Sequence, residues 1–76
     1  MADGPRPLDL EIRRKGHPED TIQLVADPRG DGFPAVLQKQ LRSWLTGHKW
    51  AESRWGEFEL VAREAKGWKQ LAKIRA

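Results

Sequence analysis

Two short stretches near the N-terminus alternate apolar and polar residues with a period of two, and no other pattern constrains the fold as strongly. Leu8-Asp9-Leu10-Glu11-Ile12-Arg13 places Leu8, Leu10 and Ile12 on one side, as a half-buried strand requires. Thr21-Ile22-Gln23-Leu24-Val25-Ala26 alternates again and is rich in β-branched residues. Between them, Lys15-Gly16-His17-Pro18-Glu19-Asp20 contains both Gly and Pro, which mark turns. The two segments predict an antiparallel hairpin with a connection longer than two residues. The preceding residues 1–7 carry two prolines and a glycine and predict a flexible lead-in, with a single α+β domain over residues 8–76.

A lone hairpin is barely stable in water, so later segments must cover it. Phe33-Pro34 opens a helix, since proline suits the first helical position. Leu37, Leu41, Trp44 and Leu45 follow at helical spacing on one face. Gly47 is placed to end the helix in a left-handed conformation. His48 comes next, where a protonated imidazole meets the negative end of the helix dipole.

The last third carries two periods at once. Phe58, Leu60 and Ala62 alternate as a strand would, and Lys66-Gly67 can turn the chain so that Trp68 to Arg75 pairs back. Trp55, Phe58, Val61, Ala62, Ala65, Trp68, Leu71 and Ala72 also fit a helical stripe. Gly67 in mid-segment costs a helix about 1 kcal/mol relative to Ala, and added strands would shield the hairpin. The expected order is therefore β-β-α-β-β, one helix packed on an antiparallel sheet. The alternative is a β-hairpin followed by two or three helices. No internal repeat is present.

With 76 residues the chain has room for one core, and a domain near this size buries only about 60% of its unfolded surface. Trp44, Trp50, Trp55 and Trp68 are thus important apolar material. There is no cysteine, which excludes disulfides, thiol nucleophiles and thiolate zinc sites. Small secreted domains usually carry disulfides, and residues 1–7 lack the apolar run of a signal peptide, so a cytoplasmic location is expected. No apolar stretch nears the ~20 residues of a membrane span, so no membrane partner is expected.

The candidates for chemistry are sparse. His17 lies beside Glu19 and Asp20, which reads as a solvated polar turn. Asp27 and Asp31 flank Pro28-Arg29-Gly30 without the ligand spacing of a calcium loop. Gly30-Asp31-Gly32 matches neither phosphate-binding glycine motif. Ser43 and Ser53 have no neighbouring base to activate them. No catalytic residue, metal ligand or cofactor site is expected, and the chain reads as a non-catalytic binding module.

Net charge directs that reading. Residues 1–48 hold seven basic and seven acidic side chains, and residues 49–76 hold seven against four, so the whole excess of +3 lies in the last third. Trp50-Ala51-Glu52-Ser53-Arg54-Trp55 adds Trp and Arg, the residues enriched at binding hot spots. The expected contact surface is Lys49, Trp50, Arg54, Trp55, Arg63, Lys66, Lys69, Lys73 and Arg75, facing nucleic acid or a nucleic-acid-handling complex, as in an accessory protein of a bacterium or phage. The alternative is a protein–protein interaction module (inhibitor, adaptor or homodimer) using a sheet edge or a Trp anchor. Arg13-Arg14-Lys15 is a second basic run, read first as a charged guard on an exposed sheet edge and second as a phosphate contact.

Overall fold

The computed structural model of the chain describes residues 4–65 and 69–76. β1 (Arg6–Arg14) and β2 (His17–Ala26) form a hairpin, followed by α1 (Phe33–Gly47), a 3₁₀ helix (Glu52–Glu57), β3 (Phe58–Glu64) and β4 (Gln70–Arg75). The strands form one sheet in the order β2-β1-β3-β4, with every neighbouring pair antiparallel. This is the expected β-β-α-β-β arrangement, and the alternative with two or three helices after the hairpin is overturned. β2 and β3 both oppose β1 and so run parallel to each other. α1 is the crossover between them, with β1 in the gap.

Several local expectations are corrected. β1 starts at Arg6, inside the predicted lead-in, because Arg6 and Pro7 already pair with Ala26 and Val25. The hairpin connection has only two residues. Arg14 pairs with His17, and Lys15 and Gly16 both have positive φ, 49° and 86°, as a type I′ turn demands. Pro18 lies inside β2, where the register slips beside Ile12 and Arg13. β2 is an edge strand, so its lost N–H and the irregularity are tolerated.

Gly47 does not take the left-handed position. It is the last helical residue, His48 is the cap at φ −98°, and Lys49 has φ 62°. The Trp50 N–H donates to the Leu45 carbonyl at 3.0 Å and the Lys49 N–H to the Thr46 carbonyl at 3.1 Å, the two bonds of a Schellman motif. Chain reversal thus falls two residues later than the glycine suggests.

One side of the sheet packs on α1. Leu8, Leu10 and Ile12 of β1, Leu60 and Ala62 of β3, and Leu37, Leu41 and Leu45 of α1 share one core with Phe33 and Phe58. The other side of the sheet faces solvent and is roofed by charge. Arg13 and Arg63 both bond Glu11, and Lys73 bonds Glu59 at 3.4 Å. Val61 sits among these residues, opposite Glu11 and Lys73, and is only 1% exposed. Long charged side chains cover apolar surface with their stems while their heads reach water.

Candidate functional site

The end of the sheet where β1 finishes and β3 begins gathers residues from three parts of the chain. Strand pairing sets Arg14 opposite Phe58, and the Lys15 N–H donates to the Glu57 carbonyl at 3.3 Å. The Schellman turn delivers Trp50 to the same place, with its ring edge-on to Phe58 at 4.9 Å. The 3₁₀ helix then returns Arg54. The guanidinium carbons of Arg14 and Arg54 each lie 5.3 Å from the centroid of the Trp50 ring. That distance suits attraction between a cation and an aromatic face.

Glu57 links the two arginines. Its carboxylate lies 3.0 Å from Arg54 and 3.6 Å from Arg14. A hydrogen bond from Arg54, and then the charges of Arg54, Lys15 and Arg14, hold the Glu57 carboxyl below its usual value. Lys15 and Lys49 are exposed. Arg14 and Arg54 therefore put two cations on one indole, and Glu57 pairs with both. Lys15 is near enough for its charge to act on Glu57, and Lys49 precedes Trp50 in the chain. A shallow hollow of about 260 Å³ adjoins the group, lined by Lys15, Gly16, Gly56, Glu57, Phe58, Glu59 and Arg75. It is smaller than most small-molecule sites, which span about 300–1,000 Å³.

The indoles are used by the fold. Trp44 stacks on His48 at 4.1 Å between centroids and donates its N–H to Asp20 at 2.8 Å. That bond, with one from the Thr21 N–H, holds the Asp20 carboxyl below its usual value. His48 Nδ1 donates to the Trp44 carbonyl at 2.9 Å. Trp55 donates its N–H to the Trp50 carbonyl at 3.0 Å. All three rings are half-buried, and Trp68 lies outside the described residues.

The nine residues expected to form one surface are divided. Lys49, Trp50, Arg54 and Trp55 lie at this end, and Arg75 joins them across the hollow. Arg63 and Lys73 stand on the solvent side of the sheet, in ion pairs with Glu11 and Glu59. Lys69 lies at the opposite end, six residues from Arg75, or about 20 Å of strand. Lys66 lies outside the described residues. Arg14 and Lys15 belong to this end too but are not among the nine, because sequence reasoning ranked phosphate contact second for them. They were assigned to guarding an edge, but β1 is an interior strand between β2 and β3. No spacing in the sequence signals the pairing of Arg14 with Phe58 that carries them to Trp50.

Among the described residues, no three His, Asp or Glu side chains are grouped to hold a metal ion. No helix among them is long and apolar enough to cross a membrane. No family model, curated protein or solved structure matches the chain.

Proposed function

We propose that this chain is a non-catalytic binding module that contacts nucleic acid through backbone phosphates at the Trp50 end. One observation carries the reading: Arg14 and Arg54, forty residues apart in sequence, are both set over the Trp50 ring, and the exposed Lys15 and Lys49 are the chain neighbours of Arg14 and Trp50. An indole beneath a guanidinium fixes its plane and leaves its N–H edge to meet phosphate oxygens. Trp50 has its ring occupied by those guanidiniums and by Phe58, so it supports the cations rather than stacking on bases. Recognition of this kind positions a backbone and carries little base preference.

The test is titration of labelled single- and double-stranded oligonucleotides between 50 and 200 mM salt. Four phosphate contacts give a slope of log K against log salt of about −3.6 on duplex and about −2.8 on single strands. Replacing Arg14 and Arg54 by Ala should reduce the slope by about 2 and weaken binding more than tenfold. Replacing Lys73, which is held by Glu59 on the far side of the sheet, should change neither by much. Flat titrations at 50 mM salt would overturn the reading.

A further inference from the structure

We infer that the outer edge of β2, over Thr21–Ala26, is an interface that takes a second copy of this chain by antiparallel strand pairing. β2 has a neighbour on one side only, so its outer flank offers a row of backbone donors and acceptors. Edge strands are normally protected by charge, proline or irregularity. The first half of β2 carries such protection in Pro18, Glu19 and Asp20 with a register slip. The second half, Thr21-Ile22-Gln23-Leu24-Val25-Ala26, has no charged residue and no proline. The other edge, β4, carries Lys73 and Arg75 within six residues. Val25 is the most exposed large apolar side chain of the described residues, at 67%.

The occupant follows from the pattern of this strand against itself. In a twofold pair centred on Gln23, Ile22 faces Leu24 of the second copy on the helix side, and Thr21 faces Val25 of the second copy on the solvent side. Side chains stay on their own faces because the opposed positions share parity. Apolar and β-branched residues directly opposite one another are favourable cross-strand pairs. Pairing ends with Asp20 against Ala26, because the next step would bring Glu19 against Asp27. The segment is thus self-complementary over seven residues and repulsive beyond them.

The net charge of +3 does not prevent this. Antiparallel pairing sends the two basic ends in opposite directions, each about 20 Å from the centre. Their separation of roughly 40 Å is several Debye lengths at physiological salt, where one is about 8 Å. The inference does not depend on nucleic-acid binding, since it concerns the protein alone.

Sedimentation equilibrium of the full chain from 1 µM to 1 mM tests it. The expected mass rises toward twice the 8.7 kDa monomer, with outward-facing amides of Thr21–Ala26 gaining hydrogen-exchange protection as concentration rises. T21K/V25K places lysines opposite each other twice and should raise the dissociation constant about 10–100-fold. T21E/V25E should do the same, and mixing the two variants should restore association. Both positions are exposed, so circular dichroism should be unchanged. A monomer at 1 mM, an unaffected dimer in T21K/V25K, or a mixture that fails to associate would each overturn the inference.

Discussion

The residues that reverse the chain after α1 show how composition and conformation separate. Lys49 occupies a left-handed conformation at φ 62° while Gly47, two residues earlier, is helical. A left-handed L-residue costs roughly 1–2 kcal/mol, and glycine in a helix costs about 0.5–1 kcal/mol relative to alanine. A Cβ on Gly47 meets nothing within 4 Å. Gly47→Ala should therefore stabilise the protein by about 0.5–1 kcal/mol in urea unfolding. Gly16→Ala should destabilise it by about 1–2 kcal/mol, because Gly16 stands at φ 86°. Had Gly47 been the left-handed cap that its position suggests, both substitutions would destabilise. The helix was legible because Leu37, Leu41 and Leu45 repeat on one face. Its last turn was not, because bonds from Lys49 and Trp50 back to Thr46 and Leu45 decide it, and these depend on where Trp50 packs.

At the scale of elements, β3 explains why strand and helix were hard to separate in the last third. It lies between β1 and β4, and both its faces are covered, with Phe58, Leu60 and Ala62 toward α1 and Val61 under the ion-paired roof. A strand buried on both sides loses alternation and reads as a continuous apolar run. Leu60-Val61-Ala62 does so. Phe58 is the point where β3, α1 and the Trp50 segment meet. Its ring lies 6.0 Å from Trp44 and 4.9 Å from Trp50, and it is 1% exposed. Phe58→Ala removes a buried aromatic and should cost about 3–5 kcal/mol. A chain of this length has a total stability of roughly 4–11 kcal/mol, so the variant should be partly unfolded at 37 °C by circular dichroism. Native-like melting of Phe58→Ala would mean that Trp50 is held by something other than this contact. The candidate site was legible in its Trp50–Arg54 half, which is contiguous in sequence. The Arg14–Lys15 half was hidden because only strand pairing joins it to the rest.

For the whole molecule, acid should act in opposite directions on stability and on polyanion binding. Glu11, Asp20 and Glu57 all have carboxyl groups held below their usual values, Glu11 chiefly by the Arg13 hydrogen bond and then by the charges of Arg13 and Arg63. A carboxyl whose folded value is depressed contributes stability that is present above its unfolded value and lost as pH falls through the folded one. The unfolded values are near 4.5 for Glu and 3.8 for Asp. The urea midpoint should thus be level from pH 7 to about 5 and fall below pH 4.5, less steeply in 1 M salt, which screens exposed pairs. Phosphate binding has the reverse sign. Protonating Glu57 removes the carboxylate that competes for Arg14 and Arg54, so both guanidiniums become available to a polyanion. That gain lies where the fold is weakening, so it is best measured at neutral pH in Glu57→Gln, which keeps the shape and removes the charge. Glu57→Gln should bind single- and double-stranded oligonucleotides about 3–10-fold more tightly at 100 mM salt, with a salt slope steeper by up to 1. Glu64→Gln, whose partner Arg6 lies at the opposite end of β1 and β3, should gain less. Equal gains in the two variants would mean that net charge alone governs the attraction, and the arrangement of arginines around Trp50 would then have no special part in it.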